Sequence, residues 1–282
     1  MTRYPAIDID GAHVAITGAG QGIGRAIAQR LAALGARVAI GDLDVDAAKR
    51  AAAAVGGSAH ALDVADPESF ATFLAEAEQA NGPLAVLVNN AGIMPNGGFL
   101  ELSDALNRAT MEINVFGVMH GLRLALPGML ERGRGHVVNV ASLAGKFPVK
   151  GLAVYNASKY AVVGLTAAVR LECAPGGVSV SAVLPSAVDT ALASGLDMRP
   201  IPKVKPERIA DAVVDTVRTR AAEVAVPGYV GALALAAAMT PEPVLNGIRR
   251  LARDERALRP DAPQRAAYRA RLDQHPNREG QS

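Results

Sequence analysis

Short runs of β-branched and other apolar residues alternate with longer Ala/Leu-rich runs along the first 227 residues of the chain. The short runs have no regular polar alternation, which is typical of parallel strands buried on both faces. In the longer runs the apolar positions recur every three or four residues, which indicates amphipathic helices. The pattern predicts strands over residues 13–17, 37–41, 84–90, 135–142, 178–185 and 223–228, with the clearest helices over 24–35 and 45–56.

Alternation of strands and helices predicts an α/β fold, namely a doubly wound, Rossmann-like parallel sheet with helices on both faces. Sheets of this kind bind ligands beyond the carboxyl ends of their strands. The pattern changes at Gly228, where an apolar run leads to Pro241 and Pro243 and then to a polar, Arg-rich end. We therefore expect one domain over 1–227 and a helical C-terminal extension over 228–282 that packs on it.

Composition narrows the class of protein. Half of the 282 residues are hydrophobic, which is ample for a sizeable core. A net charge of +2 gives no strong field for nucleic acid, so no nucleic-acid partner is expected. Cys173 is the only cysteine, which favours a reducing compartment. The N-terminus has no apolar run of signal-peptide type, and the apolar run 230–239 is too short to span a bilayer. These features predict a soluble cytoplasmic protein, and the scattered histidines predict no metal site.

Several glycines follow the first predicted strand in the segment TGAGQGIGRAIA, residues 17–28. Gly18 would permit a tight turn, Gly22 would let the backbone approach a pyrophosphate, and Gly24 would let helix and strand pack closely. The phosphates would then lie at the helix N-terminus. The alternative is a strand-to-helix turn without a ligand. No Lys-Ser/Thr pair follows the glycines, which disfavours a nucleoside-triphosphate P-loop.

Asp42 stands at the end of the second predicted strand. A carboxylate there can accept hydrogen bonds from the ribose hydroxyls of an adenosine and would repel a 2′-phosphate, so it favours NAD over NADP. The alternative is that Asp42 only caps the next helix, although Asp44 is better placed for that function.

Tyr155 precedes Lys159 by four residues in AVYNASKYAVVGL, so both side chains would lie on one helical face. A free phenol has a pKa of ~10 and is a poor base at neutral pH. A neighbouring ammonium lowers the pKa of a phenol, which could then exchange a proton with an alcohol or ketone. The alternative is a surface tyrosine beside a solvated lysine. Tyr160 has no such partner, because residue 164 is glycine.

At this point the sequence resembles the short-chain dehydrogenases/reductases, in the short single-domain branch of that family. The resemblance covers about residues 11–227. It depends on ordered motifs: TGAGQGIG (17–24), DV (63–64), NNAG (89–92), Asn114 in INVFG, Ser142 in VVNVAS, and YNASK (155–159).

The resemblance implies a single dinucleotide-binding and catalytic domain over 1–227 and a set of residue roles. Tyr155 would be the general acid/base, and Lys159 would lower its pKa and bind the nicotinamide ribose. Ser142 would hydrogen-bond the substrate oxygen, and Asn114 would hold a water of a proton relay. Taken singly, Ser142 could simply end a strand and Asn114 could be a satisfied polar group within a helix. Asp63 and Val64 would contact the adenine. The full set of implied cofactor contacts is Gly18, Gln21, Gly22, Ile23, Gly24, Asp42, Leu43, Asp63, Val64, Asn90, Ala91, Gly92, Tyr155, Lys159, Pro185, Val188 and Thr190.

One position departs from the family pattern. After the strand 178–185 the family usually has Pro-Gly, whereas this chain has Ser186 in place of the glycine. Serine restricts the backbone more than glycine does, so we expect a narrower nicotinamide pocket or a shifted loop.

Residues 190–206 correspond to the family's mobile lid. Their apolar side chains suggest a hydrophobic pocket wall, or a loop that only packs on the body: Leu192, Leu196, Met198 and Ile201. The expected activity is hydride transfer between NAD(H) and a hydrophobic secondary alcohol or ketone. The alternative is a catalytically inactive, nucleotide-binding, redox-sensing regulator. The resemblance also implies a homodimer or homotetramer, while the extension permits peripheral membrane contact as a less favoured option.

Overall fold

The computed structural model describes residues 4–190, Leu192, 203–238 and Thr240. A seven-stranded parallel sheet forms the centre of the protein, in the order β3-β2-β1-β4-β5-β6-β7. This sheet confirms the predicted doubly wound α/β fold. The strands are β1 (His13–Thr17), β2 (Arg37–Asp42), β3 (Ser58–Ala61), β4 (Leu84–Asn89), β5 (Gly135–Val140), β6 (Val178–Pro185) and β7 (Glu223–Val226).

Helices cover both faces of the sheet. They are α1 (Gly22–Ala32), α2 (Val45–Val55), α3 (Pro67–Asn81), α4 (Asp104–Met111), α5 (Gly117–Glu131), α6 (Ala153–Cys173), α7 (Pro206–Thr219) and α8 (Gly228–Ala238). Side chains of α1, α2 and α7 form one apolar core with the sheet, and side chains of α3, α5 and α6 form the other.

Successive side chains along each strand point alternately into one core and into the other. In β1, Val14 and Ile16 lie in the core of α1, α2 and α7, while Ala15 between them lies in the opposite core. All five residues of β1 are buried. A strand buried on both faces favours apolar residues at successive positions, and this explains the apolar runs seen in the sequence.

Apart from small shifts at the ends of elements, three local features differ from the sequence prediction. The strand β3 was not predicted, and β5 ends at Val140 rather than at residue 142. Ser142 instead precedes a 3₁₀ turn, Leu143–Gly145. A π-helical turn, Glu112–Phe116, joins α4 to α5. This turn carries Asn114, so the departure from regular helix falls at a predicted functional residue.

The continuous helix of residues 104–131 is, by length and composition, apolar enough to cross a membrane. Its α5 part packs against β4, β5 and α3, and one side of it is buried in the core. It is therefore a core helix of the α/β fold. Core helices can be as long and as apolar as membrane-spanning ones. Of the predicted C-terminal extension, α8 lies within the described residues, whereas residues 241–282 lie outside them.

Candidate active site

The loops after β1 and β4 meet where the strand order reverses, which is the usual ligand position in such sheets. Gly18 has a φ of +62°, and a Cβ built on it would lie 2.8 Å from the Cα of Ala91. Only glycine tolerates both the left-handed backbone and this close approach. A Cβ on Gly24 would meet the carbonyl oxygen of Gly18, which agrees with the close packing predicted for Gly24.

Hydrogen bonds of the Asn90 and Thr17 side chains join the loop after β1 to the loop after β4. The Asn90 amide nitrogen donates to the carbonyl oxygens of Thr17 (2.9 Å) and Gly18 (3.0 Å). In return, the Thr17 hydroxyl oxygen accepts the backbone N–H groups of Asn90 and Ala91, each at 3.0 Å. Asn90 thus shapes the cleft through its loop contacts. Thr17 was not singled out from the sequence, although it is the first residue of the glycine motif.

Backbone N–H groups hold the Asp42 carboxylate beside the glycine loop. One oxygen accepts from Gly20 at 2.8 Å and the other from Asp44 at 3.0 Å. Asp44, as predicted, is the residue that caps α2, accepting from Ala47 at 2.9 Å. The capping alternative for Asp42 is therefore wrong. Leu43 beside it is partly exposed.

The predicted adenine contacts lie after β3. The Asp63 carboxylate accepts the N–H of Ala65 at 3.0 Å, and the Asp63 N–H donates to the Ser69 hydroxyl at 3.0 Å. Val64 is buried against the start of α5, where a Cβ on Gly117 would lie 2.9 Å from a Val64 methyl. These contacts fix the turn that would carry both residues to an adenine ring.

Tyr155 and Lys159 lie on α6 and are both buried, each with 6% of its surface exposed. The Lys159 Nζ lies 5.7 Å from the Tyr155 ring centroid and donates to the carbonyl oxygen of Val140 at 3.1 Å. Burial lowers the pKa of Lys159 to about 8. Tyr160 is 45% exposed, which agrees with its exclusion from the predicted pair. The alternative of a surface tyrosine beside a solvated lysine is therefore wrong.

Asn114 is fully buried, and its side chain binds protein groups on two sides. Its Oδ1 accepts the N–H of Ile93 at 2.8 Å, and its Nδ2 donates to the Ile93 carbonyl at 2.9 Å and to the Ser158 hydroxyl at 3.0 Å. Both amide hydrogens are thus used within the protein. A water of a proton relay would therefore donate to the second lone pair of Oδ1 or bind a backbone carbonyl.

Ser142 is half-buried at the start of the 3₁₀ turn. Its hydroxyl oxygen accepts the N–H of Ala144 at 3.1 Å and lies 3.5 Å from the Pro185 carbonyl oxygen. Ser186, which stands where the family usually has glycine, is hydrogen-bonded to β7: its N–H donates to the Val226 carbonyl at 2.9 Å. Within the described part of the chain, the buried Ser186 hydroxyl has no hydrogen-bond partner.

Residues 185–190 return to the glycine loop. Val188 is buried and pairs with Val204 in an isolated bridge. The Thr190 side chain faces Gly22, at 3.6 Å from a Cβ built there. The structure thus brings the predicted residues after β1, β4, β5 and β6 to one edge of the sheet, together with the start of α6.

These residues fit a nicotinamide dinucleotide. Helix α1 begins at Gly22 beneath the glycine loop, and its N-cap residue Gln21 makes no side-chain cap bond. Its first turn also has no acidic residue, whereas α2 and α3 are capped by Asp44 and Asp66. The free N–H groups of α1 suit a phosphate. A Cβ on Gly92 would lie 3.0 Å from the Asn114 Oδ1 and 3.7 Å from the Lys159 Nζ, so only glycine leaves this space open.

Apolar side chains surround Tyr155 on the substrate side. It packs with Met94, Ala144 and Leu152, and Leu192 joins this cluster to a second one around Leu106. Val149 also packs against the first cluster, and Phe147 packs against the core of α3, α5 and α6. Of the predicted lid residues, Leu196, Met198 and Ile201 lie outside the described residues.

The cysteine and the potential metal ligands of the described residues do not add a reactive group to this site. Cys173 is buried in the core, and burial raises the pKa of its thiol, so it is a packing residue rather than a nucleophile. Among the described residues, no three His, Cys, Asp or Glu side chains converge to hold a metal ion.

Comparison with known proteins identifies the family. The family described as short chain dehydrogenase matches residues 12–199, which are more than half of the chain, and this protein belongs to that family. A 2,5-dichloro-2,5-cyclohexadiene-1,4-diol dehydrogenase, LinX, of Sphingobium indicum is 38% identical over 186 residues, 64% of this chain and 74% of the relative. The ketoacyl reductase HetN of Nostoc sp. is 36% identical over 228 residues, 77% of this chain and 79% of the relative.

A similar solved structure is the 3-ketoacyl-(acyl-carrier-protein) reductase of Brucella melitensis complexed with NADH. It is 31% identical with a TM-score of 0.74, over 77% of this chain and 97% of that chain. Together these relatives support an oxidoreductase that acts on CH–OH or C=O groups with a nicotinamide cofactor. They give no support to the alternative of an inactive regulator.

Proposed function

We propose that this protein transfers a hydride between NAD(H) and a hydrophobic secondary alcohol or ketone, with Tyr155 as the general acid/base. The observation that carries the proposal is the buried pair on α6, in which the Lys159 amine lies 5.7 Å from the Tyr155 ring centroid. A cation so close to a phenol in a dry site favours the phenolate, which makes the tyrosine a proton carrier near neutral pH.

The chain's own residues then have distinct roles. When bound, the nicotinamide ring supplies the hydride acceptor or donor. Tyr155 takes the proton of the alcohol, or returns it to the ketone. Lys159 keeps the phenolate charge favourable and binds the nicotinamide ribose. Ser142, half-buried beside the same cluster, donates a hydrogen bond to the substrate oxygen.

The preference for NAD rests on Asp42. Its carboxylate is held by the N–H groups of Gly20 and Asp44 in one orientation at the end of β2. An anion fixed at this position accepts hydrogen bonds from ribose hydroxyls and repels a 2′-phosphate. The relative complexed with NADH supports the same class of cofactor.

The hydrophobic substrate class is supported by the apolar surroundings of Tyr155. Tyr155 belongs to one buried cluster with Met94 and Leu152, and Leu192 packs against this cluster. Lys146, just past the 3₁₀ turn, forms an ion pair with Glu223 at 2.8 Å. An anionic substrate would therefore gain little from Lys146. The named substrates of the relatives are a chlorinated cyclic diol and ketoacyl groups, which share the carbonyl or secondary-alcohol chemistry.

The proposal extends to the whole protein. Residues 1–227 act as a single dinucleotide-binding and catalytic domain, with the extension 228–282 packed on it. The lone, buried Cys173 supports a cytoplasmic location. The protein assembles into a homodimer or homotetramer through α5 and α6.

The test is a panel of secondary alcohols of rising apolar size, matched with carboxylated analogues, in the presence of NAD or NADP. The expected result is NADH absorbance that grows with the apolar size of the alcohol and is greater with NAD than with NADP. A preference for the carboxylated alcohols would refute the substrate class, and a preference for NADP would refute the cofactor assignment.

A further inference from the structure

Ser158 is a fully buried hydroxyl inside the site that the mechanism above does not use. It lies between Tyr155 and Lys159 on α6. Its hydroxyl donates to the Tyr155 carbonyl oxygen at 2.7 Å and accepts an Asn114 amide hydrogen at 3.0 Å. It is therefore the link between the catalytic helix and the π-helical turn.

The chain of contacts continues from Asn114 to the cofactor loop. Asn114 binds both the N–H and the carbonyl of Ile93, at 2.8 and 2.9 Å. Ile93 directly follows Gly92, and a Cβ built on Gly92 would lie 3.0 Å from the Asn114 Oδ1 and 3.7 Å from the Lys159 Nζ. One polar connection thus runs from the loop after β4, through Asn114 and Ser158, to the backbone of Tyr155.

The hydrogen bonds of this connection are complete only if the Ser158 hydroxyl accepts the second Asn114 amide hydrogen. Without the hydroxyl, one Asn114 amide hydrogen would be buried with no acceptor, and a buried donor in that state forces a rearrangement or admits water. Of the groups in this connection, the Asn114 side-chain amide can rotate more easily than the backbone groups of Ile93 and Tyr155. Its movement would release Ile93 and with it the loop at Gly92.

We propose that Ser158 is a positioning residue that sets the loop 90–93 relative to Tyr155 and Lys159 by holding the Asn114 amide. The inference rests on the proposed function for its effect on turnover, while its effect on cofactor binding is independent of any substrate. Misplacement of reacting groups by about 1 Å can cost a hundredfold in rate. Ser158 acts through Asn114, and it is not itself assigned a proton transfer.

Helix α6 also provides a matched control. Thr166 is a second buried hydroxyl, which donates to the carbonyl of Val162 at 2.6 Å and accepts an amide hydrogen of Asn139 at 2.9 Å. The chemistry is the same as at Ser158, but the partner is Asn139 on β5, which reaches the cofactor loop only through a further hydrogen bond from Asn89 at the end of β4. Ser158→Ala and Thr166→Val therefore remove equivalent hydrogen bonds at different distances from the site.

The experiment measures NADH dissociation constants by fluorescence titration, thermal stability, and kcat and KM for the best alcohol. Both variants are expected to lower Tm. Only Ser158→Ala is expected to weaken NADH binding about tenfold and to lower kcat by about tenfold to a hundredfold, with KM for the alcohol within about threefold of wild type. Ser158→Cys keeps a similar shape with a weaker acceptor, so its NADH affinity and kcat are expected to lie between those of wild type and Ser158→Ala. This variant replaces Ser158→Ala in the experiment if Ser158→Ala does not fold.

The inference is overturned if Ser158→Ala and Ser158→Cys keep wild-type NADH affinity and kcat while Tm falls as it does in Thr166→Val. Equal losses of NADH affinity in Thr166→Val and Ser158→Ala would also overturn it, because the effect would then be general to the helix. If the wild-type protein turns over no substrate, the proposed function has failed while the NADH titration still tests Ser158.

Discussion

At the level of single residues, Lys159, the proposed partner of Tyr155, carries a cost in stability. Its amine is buried, and its pKa is lowered from 10.5 to about 8 by loss of solvation. The folded protein therefore holds this charge against a desolvation penalty at neutral pH. A buried cation with a single described hydrogen bond, to the Val140 carbonyl, suits catalysis better than stability.

This cost predicts a pH-dependent stability. The folded pKa lies below the unfolded one, so the penalty is full below pH 8 and is relieved as pH rises from about 8 towards 10.5. Lys159→Met removes the charge and should be more stable than wild type at pH 7, although inactive. Urea unfolding at pH 7 to 10 should show the advantage shrinking by as much as about 3 kcal/mol. An advantage that is constant with pH would contradict the assignment.

The proposed preference for NAD depends on the charge of Asp42. Asp42→Asn keeps the shape and removes the charge, so the repulsion of a 2′-phosphate disappears while one oxygen can still accept from Gly20 or Asp44. We predict that the ratio of NADPH to NADH affinity rises at least about tenfold, measured by fluorescence titration. Asp46→Asn, on α2 beyond the capping residue, is the control and should leave the ratio unchanged. An unchanged ratio in Asp42→Asn would remove the argument for NAD.

At the scale of elements, a second polar cluster joins β5, β6 and α7 in the core of the sheet. The buried His136 contacts the Ser179 hydroxyl at 2.8 Å and the Thr216 hydroxyl at 3.3 Å. Burial, followed by the charge of the nearby Arg220, lowers the pKa of His136 to about 3. The imidazole is therefore neutral in the folded protein at all ordinary pH values.

This cluster predicts an acid-labile fold. Because the folded pKa of His136 lies below the unfolded value of 6.5, its stabilisation is full above pH 6.5 and is lost as pH falls towards about 3. Relative to His136→Gln, the free energy of unfolding of the wild type should fall by about 1.4 kcal/mol for each pH unit in that window. Chemical denaturation between pH 4 and 7 measures it. Parallel curves for the two proteins would mean that His136 is not buried in its neutral form.

The elements that the sequence predicted are those with a strong local pattern. Six of the seven strands follow from apolar runs, but Ser58–Ala61 is short and only partly buried, so its residues SAHA carry no strand pattern. The π-helical turn was missed because residues 112–116 have ordinary helical spacing, and its widening depends on contacts with Ile93 and Ser158. Motif positions located Asn114 and Tyr155, whereas Thr17 and Ser158 needed the spatial contacts between distant segments.

At the scale of the whole molecule, α5 and α6 leave large apolar side chains exposed outside the core. Leu171 is 77% exposed and Tyr160 45% on α6, while Leu124 is 40% exposed on α5 and Phe116 42% just before it. Both helices lie on the same face of the sheet, and a contiguous exposed apolar patch on such a face would mark a subunit contact. This pattern supports the proposed assembly through α5 and α6.

The assembly predicts a response to charge at this surface. Leu171→Glu should reduce the particle mass measured by light scattering, since a buried carboxylate at a subunit contact is strongly unfavourable. Leu100→Glu is the matched control, because Leu100 is 94% exposed in the loop before α4. A monomeric wild type, or a mass unchanged by Leu171→Glu, would contradict the contact.

The central claim is that the phenol of Tyr155 carries the proton during hydride transfer. The most direct measurement is the single-turnover rate of NADH formation for wild type, Tyr155→Phe and Tyr160→Phe with a saturating alcohol. Tyr155→Phe is expected to lose about a hundredfold to ten-thousandfold in rate while NADH binding is preserved, and Tyr160→Phe is expected to keep the wild-type rate. A Tyr155→Phe variant that keeps the wild-type rate would contradict it.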